Sequence, residues 1–319
     1  PVGGGIVRQA ATGLFANGPF IEVVAPAARV RLDGETWTTL AEDGSLFRTF
    51  SRGTMRLEGR RYPNGTLEVK TVDVDPSGNG TRFWPIPLTG LLPPSVAIDG
   101  LGEPWAAMQA TGVHVYRRGT VVGGVPILSG LPASSEQPHI AAGGMTVIVA
   151  VPTISGGLDI RAYDRPSLAF VALPDSGAAP LPGAYAIDVD PSGRPVLAWI
   201  GADEALHITR FESNTWSPVA TFTASPSTLF LSLQLRVDTT GAIVLVAHEA
   251  AHTPAPGTWP APTSRSALRV FRQSGNTFTD TSLTGFAGPI VGFVFDLDET
   301  DRPYVAFSEG DLTGVVRAP

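Results

Sequence analysis

The residues His248-Glu249-Ala250-Ala251-His252 match the pattern in which, on a helix, two histidines one turn apart hold zinc and the glutamate between them activates water. Their surroundings favour a structural role instead. The apolar run Ala242 to Ala247 leads directly into the motif, and Pro254 and Pro256 follow it, which leaves little more than one turn for a helix. Aligned with the other copies of a repeat described below, His248 falls where Trp199 and Phe307 stand, and Glu249 begins the following loop. No histidine follows His252, so a third zinc ligand would have to come from another part of the chain. The connection from His248 to Ser266 is long, and its Pro-rich centre carries Trp259, an aromatic that either faces a ligand or pins the loop to the rim. The candidate binding residues are therefore His248, Glu249, His252 and Trp259, with His248 and His252 as candidate metal ligands and no catalytic residue assigned.

Three acidic pairs, Asp73-Val-Asp75, Asp188-Val-Asp190 and Asp296-Leu-Asp298, hint at calcium, but none has the full alternating series of oxygen ligands. Asp followed by Pro-Ser-Gly is also ordinary hairpin chemistry, in which Asp caps the turn and Gly takes the positive φ. Turn formation is the preferred reading, and it extends to Asn64-Gly-Thr66 and Asn79-Gly-Thr81, which match a glycosylation sequon. No cofactor is expected, with zinc or calcium as the alternatives. No nucleophile elbow, P-loop or dinucleotide fingerprint occurs, and no Ser, His and Asp set can be picked out.

The composition narrows the partners. The net charge is −7 and Lys70 is the sole lysine, which argues against a nucleic-acid or anionic-membrane surface. With no cysteine there is neither disulfide, thiolate site nor thiol nucleophile. No apolar stretch is long enough to span a bilayer as a helix. The chain starts at Pro1 rather than at a methionine, the expectation being a processed product or a fragment from which a leader has been removed.

These residues must be positioned by short strands. A unit of blade size recurs along the chain, most clearly from Ala184 to Val219. Ala184 to Asp190 alternates, Pro191 to Arg194 turns, Pro195 to Ile200 is continuously apolar, and Leu206 to Phe211 and Thr215 to Val219 complete four strands. The order recurs from Ser95, His139, Leu233 and Val291, and in degenerate form from Leu14 to Leu40 and from Leu46 to Leu88. In the copy from Ser95, the outer strand is expected between Thr120 and Leu128. The last copy ends one strand short at Leu312 to Arg317, and Gly5 to Gln9 can supply the missing outer strand. The prediction is an all-β, single β-propeller domain over residues 1–319, with seven four-stranded blades closed by the N-terminal strand. Trp37, Trp84, Trp216 and Phe278 recur near the starts of outer strands, as blade packing requires.

The pattern Gly193-Arg-Pro-Val-Leu-Ala-Trp199, Leu206 to Phe211 and Trp216, echoed by Arg302 to Phe307, resembles bacterial extracytoplasmic propellers of the kelch-like, sialidase-like and seven-bladed lectin kinds. Asp33-Gly-Glu-Thr-Trp37 approaches a sialidase Asp-box but is one residue short, so no sialidase catalytic set is carried over. The resemblance implies a secreted or cell-surface module that binds a protein or a glycan through loops on one face, with a propeller lectin and a metal-dependent hydrolase as alternatives.

Overall fold

A computed structural model describes the backbone of the strands between residues 9 and 86 and of the last strand, 312–317. In more detail it describes residues 95–109, 112–117, 127–131, 136–251, 266–284, 286, 290–297 and 301–309. Every described element is a β-strand. The first blade is β1 (Gln9–Phe15), β2 (Gly18–Ala25), β3 (Ala28–Asp33) and β4 (Thr36–Leu40), and the second is β5 (Ser45–Arg52), β6 (Met55–Arg61), β7 (Leu67–Asp73) and β8 (Thr81–Ile86). The third is β9 (Ser95–Ile98), β10 (Pro104–Gln109), β11 (Val113–Arg117) and β12 (Leu128–Leu131), and the fourth is β13 (His139–Gly143), β14 (Thr146–Pro152), β15 (Leu158–Asp164) and β16 (Ala169–Ala172). The fifth is β17 (Pro180–Val189), β18 (Pro195–Gly201), β19 (Leu206–Glu212) and β20 (Thr215–Phe222), and the sixth is β21 (Thr228–Val237), β22 (Ile243–Ala251), β23 (Ser266–Ser274) and β24 (Thr277–Leu283). The seventh holds β25 (Ile290–Leu297), β26 (Pro303–Glu309) and β27 (Leu312–Arg317).

All neighbours within a blade are antiparallel. The first strands β1, β5, β9, β13, β17, β21 and β25 each adjoin the next, and β25 adjoins β1, so seven inner strands close a ring. The chain is therefore a seven-bladed β-propeller. Antiparallel order puts the second-to-third-strand connections and the blade-to-blade connections on one face, and the first-to-second and third-to-fourth turns on the other. Two expectations shift. Gln9 pairs with Val24 inside the first blade, so it does not complete the seventh, and Gly5 to Arg8 lie outside the described residues. The outer strand of the third blade is Leu128–Leu131, later than the expected Thr120 to Leu128, of which residues 118–126 lie outside the description.

The core is a series of sandwiches between blades. Second strands are covered on both faces by neighbouring blades, which is why β10, β14 and β18 read as continuous apolar runs where edge strands alternate. Leu197 and Trp199 of β18 pack toward the fourth blade, while Val196, Ala198 and Ile200 pack toward the sixth. Trp216 joins the first of these clusters and donates to the Pro174 carbonyl, and Phe278 joins the second, as their periodic placement predicts.

The recurrent Asp of the first turn is buried and satisfied. Asp190 accepts the Arg194 amide at 2.9 Å and its guanidinium at 2.7 Å, and Asp238 accepts the amides of Thr240 and Ala242 at 2.9 and 2.8 Å. Gly193 and Gly241 close these turns at φ of 84° and 87°, a conformation that costs glycine little. The turns of adjacent blades also touch. Gly100 donates to the Gly144 carbonyl at 2.6 Å, and a Cβ on Gly100 would stand 2.3 Å from that oxygen. Gly100→Ala is expected to destabilise the fold by about 1–3 kcal/mol in urea unfolding, because backbone on both sides must move.

Candidate binding site

The zinc-like motif lies on a strand. His248 and Glu249 are the sixth and seventh residues of β22, paired with Leu268 and Ala267 of β23, so the loop position expected for Glu249 is replaced by a buried strand position. Register also corrects the blade alignment. Val189 pairs with Pro195 and Val237 with Ile243, which makes Ala247 the counterpart of Trp199 and His248 that of Ile200. Successive strand residues point to opposite faces, so His248 and Glu249 are turned away from each other. His252 and Trp259 lie outside the described residues. Asp75, Asn64, Asn79 and Asp298 do so as well.

Each of the two has a structural partner. His248 packs beside Val244 and Val246 toward the seventh blade, with Nε2 3.4 Å from the Ser266 hydroxyl, and burial pulls its pKa down to about 4. Glu249 faces the fifth blade. It accepts the Ser225 amide at 2.6 Å and the Thr228 hydroxyl, and it pairs with Arg269 at 3.3 Å. Burial alone would raise the Glu249 carboxyl, but these hydrogen bonds and Arg269 outweigh it and hold the pKa below the usual range. Arg269 also pairs with Asp280 and lies over the Phe271 ring at 4.9 Å, so Glu249 ties the connection between two blades to the blade edge. Among the described residues, no three His, Asp or Glu side chains converge on a metal position, and no helix is long and apolar enough to cross a membrane.

The His248 shift makes an acid response. Above about pH 6.5 the side chain is neutral both folded and unfolded, and below it the unfolded chain takes a proton that the folded chain refuses until about pH 4. Stability is therefore lost as pH falls through that window, by up to about 3 kcal/mol. His248→Leu should remove this segment of the stability profile, which unfolding midpoints measured from pH 7.5 to pH 4 would show as a flatter curve than the wild type's.

The cavity lies elsewhere, inside the ring of inner strands. It has a volume of about 430 Å³, and its described wall includes His139, Tyr185, Asp188, Ser232, Gln234 and Arg236. At the end where the inner strands begin, β17, β21 and β25 all carry register shifts, between Pro180 and Tyr185, Phe230 and Ser232, and Ile290 and Gly292. Such bulges bend a strand and re-aim its side chains, and here they bring Gly183, Ser232 and Gly292 to the wall, where no bulky side chain fills the space. A Cβ on Gly183 or Gly292 would meet nothing within 4 Å.

Several wall groups fasten one blade to the next. The Tyr185 hydroxyl donates to the Gln137 carbonyl at 2.7 Å, Ser95 accepts the Ile140 amide at 3.0 Å, and Gln234 bonds the Phe293 carbonyl and the Phe295 amide at 2.8 and 3.1 Å. Lower in the ring, Asp188, Arg236 and Asp296 occupy one register of the inner strands, each two residues before the turn Asp in sequence, and the first two line the cavity. Asp188 accepts the amides of Val189 and Val237 at 2.9 and 2.8 Å, while Arg236 pairs with Asp296 at 3.1 Å. Burial pushes the Asp188 pKa up to about 6, against the attraction of Arg236 and the two amides. The folded chain then binds a proton at Asp188 before the unfolded chain does, so this group gains stability as pH falls from about 6 toward 3.8 and offsets part of the loss at His248.

From the cavity a row of rings runs outward across the fifth blade. His139 stacks on Tyr185 with centroids 4.5 Å apart, Tyr185 pairs in register with Trp199, and Trp199 stacks on His207 at 5.1 Å. His207 Nε2 lies 3.0 Å from both oxygens of Asp203, in the loop between the second and third strands, and this bond holds Asp203 below the usual carboxylate range. The row was missed from sequence because its members are far apart along the chain, and the wall residue Asp188 was picked out there only within an acidic pair read as turn chemistry.

No family model and no curated protein matches the sequence. Among solved structures the chain is similar to AofleA from Arthrobotrys oligospora, at 12% identity and a TM-score of 0.52 over 88% of each chain. A triple arginine-to-alanine mutant of the same protein gives 11% identity and 0.55, again over 88% of each chain. A chain of a Mitotic Checkpoint Complex gives 12% identity and a TM-score of 0.59, covering 100% of this chain and 94% of its own. At these identities the likeness is one of fold, and it agrees with the ring of blades.

Proposed function

We propose that this chain is an extracytoplasmic binding or assembly module that recognises a protein or a glycan on the face carrying the blade-to-blade connections, with the mouth of the central cavity as its seat. The observation that carries this reading is the cavity itself, polar, wide enough for a side chain or a sugar, and bordered by small residues at successive bulges. At the outer end of the row, half-buried His207 and the exposed Asp203 carboxylate extend the same end outward, backed by the buried Tyr185 and Trp199. Inter-blade hydrogen bonds hold the wall, which favours recognition by a preformed surface.

The test compares the wild type with Gly292→Trp on glycan and peptide arrays, since a Cβ at that position meets no described atom within 4 Å and an indole there would occupy the mouth. The wild type should bind a defined set of probes, and the variant should lose them at an unchanged melting temperature. An absence of hits on both arrays, or equal binding by the variant, would remove the proposal. A glycan set rich in one terminal sugar would single out the lectin reading.

A further inference from the structure

We propose that the central cavity takes a primary ammonium or guanidinium group of its ligand, held against the carboxylate of Asp188. The inference rests on the cavity being the binding seat and names the chemistry it would accept. Three charged side chains share one register of the inner strands, two of them in the wall, and they are unequally neutralised. Arg236 directs Nε at Asp296 at 3.1 Å and Nη1 at the Leu235 carbonyl at 3.0 Å, and its guanidinium lies 5.8 Å from the Phe295 ring. Asp188 has two backbone amides and, among the described residues, no ion pair. Arg236 attracts Asp188 as well, yet one guanidinium stands against two carboxylates, so this register keeps one net negative charge, in a site whose burial disfavours the Asp188 carboxylate.

A cation relieves this in a way that a neutral or anionic ligand does not. Each Asp188 oxygen accepts one amide and keeps a further lone pair, so an N–H donor can be added without breaking the link to β21. Among the described wall residues an anion would need Arg236, which Asp296 already occupies. The net charge of −7 draws cations toward the molecule as a whole. The carrier inferred is a lysine or arginine side chain of a protein segment, reaching the wall past Gly183 and Gly292.

Isothermal titration at pH 7.5 with cadaverine and agmatine, and with acetylated Gly-Lys-Gly and Gly-Arg-Gly amides, tests the idea. Saturable binding is expected for at least one peptide, weakened about tenfold or more by Asp188→Asn and by Gly292→Trp. Tighter binding of the free amines than of the peptides would replace the protein segment by a small polyamine as the ligand and overturn that part of the inference. No saturable binding by any probe, or unchanged binding in Asp188→Asn, overturns it whole. Should Asp188→Asn fail to fold, unchanged binding in Gly292→Trp does the same. Array hits that Gly292→Trp abolishes and Asp188→Asn leaves intact would sink the cation site while the binding seat stands.

Discussion

Glu249→Ala is expected to lose about 3–5 kcal/mol of stability, the cost of stranding buried donors, one of them a guanidinium that keeps only one of its two carboxylates. The carboxylate is 3% exposed and accepts from Ser225 and Thr228 while pairing with Arg269, so its removal strands three donors at once. Arg269 keeps Asp280 and its position over Phe271, which limits the damage on that side. The larger consequence falls on the connection between the fifth and sixth blades, whose start is fixed by the Ser225 amide. Urea unfolding should show the loss, and limited proteolysis should show new cleavage between Thr223 and Thr228. Glu249→Gln retains acceptors for Ser225 and Thr228 and should cost less than half as much. A loss below about 1 kcal/mol for the alanine variant would mean that the network does not hold the connection.

Asp99→Ala should cost a similar amount, about 3–5 kcal/mol, at the opposite face. Oδ1 accepts the amides of Leu101 and Glu103 at 2.9 and 3.0 Å, and Oδ2 accepts the Trp105 indole at 3.1 Å and the Arg165 guanidinium at 2.7 Å. One carboxylate thus closes a turn, satisfies a fully buried indole and fastens the third blade to the fourth. Trp105 itself sits edge-on to Tyr163 and Phe170 of the fourth blade, so a shift of the indole is passed across the interface. Arg165→Ala leaves the two amides and the indole bonded and should cost clearly less. The double variant should fall short of the sum, because both changes remove the same ion pair. Strict additivity in urea unfolding would contradict the coupling.

Much of the blade order was legible because a second strand covered on both faces must be apolar throughout. Pro195 to Ile200 and Met145 to Ala150 show that signal, and turn chemistry at Asp190 and Gly193 separates it from the strand before. Asp followed by Pro-Ser-Gly was likewise readable as a cap, since its turn hydrogen bonds are made within five residues. The exact register was not. Counting along the chain placed His248 beside Trp199, one position away from its true counterpart, because the strand β22 continues past Ala247 to Ala251 and the sequence offers no mark of which residues pair across the first turn. Glu249 read as a loop residue for a related reason, as a buried acid in a strand is paid for by partners on β23 and on the connection at Ser225, none adjacent in sequence.

By itself the sequence determined the repeat, its seven copies, the turn acids and the all-β class, all of which rest on contacts within about 45 residues. Tertiary structure decided what the acids and histidines do. The motif at His248 had the spacing of a zinc site, but spacing specifies a shared face only once the secondary structure is known, and on a strand residues i and i+1 part company. Asp188, Arg236 and Asp296 come together only when the ring closes their strands side by side, and the charge left over at Asp188 is a property of that closure, as is the cavity it faces.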